Sequence, residues 1–159
     1  MSSAPQPSDR HSNAKEEQEK EKCRTFGDSI EKKHKDSVRI MFQNVNGFGY
    51  TRKSVKSLGI RDLINNKRVD VMAMAELNKN WGRMLRANTL AQVCKGWFRS
   101  SRAVVSYNQH ERRRKKSKIH QPGGTAVVLK GEMALRAGKS SYDSLKMGRW
   151  ASIVIQGKA

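Results

Sequence analysis

An α/β fold is predicted from Val38 onward, and three features of the sequence predict it. VRIMFQ, residues 38–43, alternates Val38, Ile40 and Phe42 with Arg39, Met41 and Gln43, the period-two pattern of a strand. Lys53 to Asn66 then sets Val55, Leu58, Ile60, Leu63 and Ile64 on one helical face, with Asn65 and Asn66 closing the helix. VDVMAMA, residues 69–75, is almost wholly apolar, as a strand buried on both faces would be. Strand–helix–strand at this length predicts two parallel strands joined by a right-handed crossover.

Further along, Trp81, Met84, Leu85 and Leu90 predict a short helix within residues 81–93. GWFRS (96–100) and RAVVSY (102–107) read as strands. The polar, basic stretch NQHERRRKKSKIHQPGG (108–124) reads as a loop, and GTAVVLK (124–130) as a strand. Residues 131–148 are mixed and rich in small side chains, and suggest no element. RWASIVIQ (149–156) alternates again and reads as the last strand. There is no internal repeat.

Residues 1–37 hold almost no large apolar side chain. Ordering them would gain little burial against its entropy cost, so a disordered polar tail is expected there. The charge is divided unevenly. Residues 1–37 carry eight acidic and eight basic side chains, whereas residues 38–159 carry six and 25, so the body holds the whole net charge of +19. Such a body repels itself unless an anion screens it, and nucleic acid is the partner expected.

Other classes are excluded. Cys23 and Cys94 are too few and too far apart for a disulfide framework or a paired-cysteine metal site. His11, His34, His110 and His120 have no zinc spacing. No apolar run is long enough for a bilayer, and MSSAPQPSDRHSN has no secretory core. An intracellular protein is expected.

Asn44 directly follows the first predicted strand and Glu76 the second. If the strands are parallel neighbours, both emerge at the carboxyl edge of the sheet, where α/β proteins favour ligands. A carboxylate beside amide oxygens suits Mg²⁺, which takes one or two carboxylates and completes its shell with water and phosphate. Asn46 adds an amide, and Gly47 and Gly49 allow a sharp turn and a close approach. The same residues also read as ordinary turn chemistry, with Glu76 the first solvated residue after a buried strand.

QNVNGFG after a strand, with DVMAMAEL about thirty residues later, resembles the endonuclease/exonuclease/phosphatase superfamily. That superfamily includes abasic-site endonucleases, DNase-I-like nucleases, inositol polyphosphate phosphatases and the endonuclease domains of non-LTR retrotransposons. Its first motif is a strand ending in Asn, often as WNVNG or FNING, and Asn44 matches it. Asn46 matches a position beside the metal. Its second motif is an apolar strand ending in Gln-Glu-Thr, whose Glu ligates Mg²⁺, and Glu76 matches that Glu. PGGTAVVL (122–129) is similar to the family's Gly-rich strand start, and MGRWASIVI (147–155) to its later Gly-Arg strand.

AELNKNW is most similar to the retrotransposon-type domains. Ala75 stands where Gln is usual and Leu77 where Thr is usual, which weakens the shell that orients Glu76. The resemblance implies an α+β four-layer sandwich, of which this chain would supply the first sheet and its helices. It also implies Mg²⁺, or Mn²⁺ in its place, held by Asn44, Asn46 and Glu76, with Asn44 and Glu76 acting in catalysis on a nucleic acid, DNA in the first instance.

The family's later motifs are a Tyr after the Gly-Arg strand, an Asp-x-Asn that orients water, and a closing Asp-His pair. No His follows His120, no Asp-x-Asn follows Gly124, and Asp143 stands alone. A truncated domain with little turnover is therefore expected. Two functions remain open: the front part of a Mg²⁺-dependent phosphodiester hydrolase, or a non-enzymatic, basic nucleic-acid-binding fragment.

Arg112, Arg113, Arg114, Lys115 and Lys116, with Lys118, form the densest basic run. They read as phosphate contacts, as a nuclear localisation signal, or as a solvated charge run. Trp81, Trp97 and Trp150 are candidates for stacking on bases, with core packing the favoured reading for Trp97 and Trp150. His120, beside Gln-Pro-Gly-Gly, reads as a loop histidine.

Overall fold

The computed structural model describes residues 32–49, 51, 53–109 and 120–157. Of the tail expected at residues 1–37, residues 1–31 lie outside the described residues, as does the basic run at 112–118. The described strands and helices all belong to the unit that begins at Lys33.

The predicted strand–helix–strand unit is present as β1 (Ile40–Asn44), α1 (Val55–Asn66) and β2 (Val71–Ala75). β1 and β2 pair in parallel, from Ile40 opposite Val71 to Asn44 opposite Ala75. Ser54 caps α1 by accepting a hydrogen bond from the Ser57 amide at 3.3 Å. The helix closes in a Schellman turn: Arg68 N–H donates to Asn65 O at 3.1 Å and Val69 N–H to Ile64 O at 2.9 Å. Its buried face is Ser57, Ile60 and Ile64; Val55, expected on that face, is exposed before the first turn has closed.

The chain next makes two single 3₁₀ turns, Trp81–Arg83 and Arg86–Asn88, and then α2 (Leu90–Trp97). This corrects two expectations. The helix predicted within residues 81–93 starts only at Leu90, because both 3₁₀ turns end at residues with extended backbone, Met84 and Thr89. GWFRS is not a strand: Gly96 and Trp97 finish α2, whose Leu90, Val93 and Cys94 are buried at helical spacing.

β3 (Ser101–Ser106) and β4 (Thr125–Lys130) are antiparallel, and β4 also runs antiparallel to β2. The sheet is therefore mixed, in the order β1-β2-β4-β3. Residues 131–148, which suggested no element, hold a four-residue helix α3 (Glu132–Leu135) and β5 (Ala137–Tyr142). β5 pairs with β6 (Ala151–Ile155) as a second, two-stranded sheet. Mixed α and β content was expected, and this is an α+β arrangement.

One face of the larger sheet carries the main core. Met72, Met74, Ala126 and Val128 pack against Ile60 and Ile64 of α1, Leu90, Val93 and Cys94 of α2, and Phe48, Leu77 and Trp81 from loops. Burial pushes the Cys94 thiol up to about 12, so it is protonated at neutral pH and chemically quiet. On the opposite face, Val71 and Leu129 form a small cluster with Met133, flanked by Val127, Ala137 and Ile153. The β1 end of that face is open, with Ile40 and Phe42 70% and 69% exposed, whereas Val104 and Ser106 of β3 are buried.

Two tryptophans exchange their expected roles. Trp81 is buried against Phe48, with ring centroids 5.8 Å apart, so it does not present a stacking surface. Trp150, expected in the core, is 45% exposed just before β6. Trp97 is half-buried against the main cluster, as expected. No helix among the described residues is long and apolar enough to cross a membrane.

Candidate functional site

Asn44 is the last residue of β1, and Glu76 follows the last residue of β2. Parallel pairing brings both to the same edge, with Asn44 in register with Ala75. Both are exposed, as is Asn46. The Asn44 side-chain oxygen accepts the Asn46 amide at 2.9 Å, an Asx turn that folds the loop back over the strand end. The Lys56 ammonium, from the first turn of α1, donates to Asn46 O at 2.5 Å, which puts a cation at the mouth of the turn.

The backbone around Glu76 is held from both sides. Gly47 N–H donates to Glu76 O at 2.6 Å and Phe48 N–H to Leu77 O at 2.8 Å. From the other side, Leu77 N–H donates to Gly124 O at 3.2 Å and Asn78 N–H to Gly123 O at 2.8 Å. The Asn78 side chain accepts the Gly123 amide at 2.8 Å. Between these clamps Glu76 takes a left-handed conformation with φ 54°, and Asn78 does the same with φ 51°. Asn tolerates that region, whereas a glutamate there costs about 1–2 kcal/mol relative to ordinary backbone. The strain sits on a residue with a carboxylate to offer at this edge, as functional sites tend to arrange it.

Lys79 is the site residue that sequence reasoning missed. Its side chain is 1% exposed, donates to Gly49 O, and lies 5.3 Å from the Phe48 ring centroid and 4.9 Å from that of Trp81. It ties the loop after β1 to the loop after β2. Burial lowers its ammonium from the ordinary 10.5 to about 8. Gly49 must be a glycine here: a Cβ would lie 1.7 Å from Ser54 Oγ, inside the cap of α1. His120 is exposed and forms an isolated bridge with Lys79, consistent with a loop histidine.

Thr125, the first residue of β4, lies in register with Ala75 and Ser106. Asn44, Ala75, Thr125 and Ser106 therefore form one row across the sheet at this edge. The Thr125 hydroxyl is buried with no hydrogen-bond partner among the described residues. An unpaired buried hydroxyl is costly.

Asp143 does not stand alone in the fold. Its carboxylate accepts Arg149 Nε at 3.0 Å and Arg149 Nη2 at 3.3 Å, as well as the amides of Leu145 and Arg149. The Arg149 guanidinium holds this carboxyl at about 2, well below the carboxylate range. The pair staples the β5–β6 connection and is not available to the Asn44–Glu76 edge as a ligand. The clue in the sequence was an Asp six residues before the Gly-Arg arginine.

A resident divalent cation would find one carboxylate, Glu76, and the amide oxygens of Asn44 and Asn46. Among the described residues there is no cluster of three or more His, Cys, Asp or Glu that could enclose a metal. This donor set is hard and sparse. It fits Mg²⁺ shared with a phosphate and water rather than a metal caged by protein alone. Neither a protein-family model nor a curated protein matches the chain.

Proposed function

We propose that the unit from Lys33 onward is the first-sheet portion of an endonuclease/exonuclease/phosphatase-type domain. In this reading it binds a nucleic-acid phosphodiester, with Mg²⁺, at the Asn44–Glu76 edge. The observation that carries the reading is the placement of Asn44 and Glu76 at adjacent parallel strand ends, with Glu76 strained and clamped from both sides. The open β1 end of the larger sheet, with Ile40 and Phe42 exposed, supports a sandwich whose second layer extends over it.

In this reading Glu76, Asn44 and Asn46 hold the cation, which would neutralise charge on the phosphate. Lys56 adds a cation to phosphate binding, and Lys79 keeps the two loops in register. The tyrosine, Asp-x-Asn and Asp-His groups that the resemblance implies for hydrolysis have no counterpart after Gly124 in these 159 residues. Binding with little or no turnover follows.

The test is duplex binding by fluorescence anisotropy, with and without millimolar Mg²⁺, together with a plasmid-nicking assay. Mg²⁺ should tighten binding severalfold for the native chain and leave Glu76→Gln unchanged, and neither should nick the plasmid. A Glu76→Gln protein that keeps the full metal effect would refute the site. Reproducible Mg²⁺-dependent nicking by the chain would refute the absence of turnover. The second reading, metal-independent binding through Arg112 to Lys118, rests on the +19 charge and predicts affinity that Mg²⁺ does not improve.

A further inference from the structure

At the other end of the sheet lies an open pocket of about 280 Å³ lined by Lys33, His34, Lys35, Arg68, Asp70 and Lys130 among others. β1 and β2 begin at this end and β4 finishes here at Lys130, so the pocket is a strand length from the Asn44–Glu76 edge. For five-residue strands that is about 17 Å. Four lysine and arginine side chains meet one carboxylate. Asp70 is already engaged, by an ion pair with Lys33 and by the Arg39 amide at 2.7 Å. Lys130 donates to the Asn65 side chain at 2.7 Å, and its pKa is lowered, first by burial and also by Lys33. The Lys35 ammonium and the Arg68 guanidinium make no hydrogen bond or ion pair among the described residues.

Arg68 occupies the left-handed position that ends α1, with φ 50°. Glycine is the usual residue there, and an arginine costs about 1 kcal/mol or more. Some of that is offset because a cation suits a helix C-terminus. Arg68 nonetheless lines a cationic pocket, as does Lys35.

We infer that this pocket receives backbone phosphates of a nucleic acid, as a second contact remote from the candidate metal edge. The inference rests on the nucleic-acid reading above. The anion chemistry is that of a phosphate ester. Lys35 and Arg68 are exposed and would hold a free anion weakly against water, whereas a polyanion is retained by its other contacts to a body of this charge.

The experiment uses the full chain and a 20-base-pair duplex, with anisotropy measured over a salt series. The variants are a Lys35→Ala/Arg68→Gly double change and a control, Lys95→Ala/Lys139→Ala, which removes two exposed cations elsewhere. The pocket variant should flatten the slope of log affinity against log salt by about two and weaken binding about tenfold near physiological salt. Arg68→Gly relieves the backbone strain, so its melting temperature should hold or rise, which separates lost binding from lost folding. An unchanged slope in the pocket variant, or an equal loss in the control, would overturn the inference while duplex binding and its Glu76-dependent Mg²⁺ effect still stand. Calorimetric titration with inorganic phosphate forms the other arm. Phosphate binding that the pocket variant abolishes, with the duplex slope intact, would reassign the pocket to small phosphate esters and overturn the polymer contact.

Discussion

Gly148→Ala is expected to destabilise the fold by about 2–4 kcal/mol, combining a backbone and a packing cost. Gly148 has φ 76°, in the left-handed region. A Cβ there would lie 2.7 Å from the Asn108 amide nitrogen and 2.8 Å from the Tyr107 Cα and carbonyl carbon. Those are backbone atoms and cannot swing aside as a side-chain tip would. The contact matters because the β5–β6 connection docks here on the end of β3. Gln109 N–H donates to Lys146 O at 2.8 Å, and Asn108 bridges Met147. Urea unfolding of the two proteins measures the cost. A difference below about 0.5 kcal/mol would mean that the connection is not seated on β3 in this way.

The second large effect concerns Lys79 and depends on pH. Its ordinary value is 10.5, and burial brings it to about 8 in the fold. Below pH 8 the amine is charged in both folded and unfolded chains, and the folded state bears the full cost of burying it. Between about 8 and 10.5 the folded chain has released the proton and the unfolded chain has not. Stability therefore rises with pH across that window. The gain is on the order of 3 kcal/mol, at about 1.4 kcal/mol for each unit of displacement. Cys94 and Tyr107 titrate in the opposite sense at high pH, since burial raises both. The comparison must therefore be with Lys79→Met rather than with the native protein alone. Unfolding free energies of the two proteins, measured from pH 7 to 10.5, should diverge in favour of the native chain. Parallel curves would mean that Lys79 keeps its ordinary titration and is not buried as described.

β1, β2, their parallel pairing, β4 and β6 were legible from strand patterning, which burial enforces in β2 and β4, whereas β1 and β6 keep it with most of their residues exposed. The placement of Asn44 and Glu76 at one edge followed from that alone. α2 was not legible in the same way. Leu90, Val93, Cys94 and Trp97 carry the helical spacing, but the aromatic pair Trp97-Phe98 beside an alternating strand reads equally as strand. β5 is AGKSSY, with little intrinsic strand preference, and is extended because β6 pairs with it. α3 spans only four residues, too short for a periodicity to declare itself.

At the site, Lys79 was invisible for a physical reason. Lysine is ordinarily a surface residue. Its enclosure requires Phe48, Gly49 and Trp81 to meet, which is a property of the packed loops and not of any stretch of sequence. The partnership of Asp143 and Arg149 is local enough to have been seen, six residues apart across one connection.

The order of the strands also bears on how the chain acquires its shape. β2, the strand that presents Glu76, has no neighbour close in sequence: it pairs with β1 across a helical crossover and with β4 more than fifty residues later. β5 and β6 are joined by a short connection and close a loop far more cheaply. Refolding of the whole chain is thus expected to begin in the hairpin and end at the Glu76 strand, whose pairing with Thr125–Lys130 closes the longer loop. Pulse-labelled hydrogen exchange during refolding should find β5–β6 amides protected before those of Val71–Ala75, and the reverse order would refute this sequence of events.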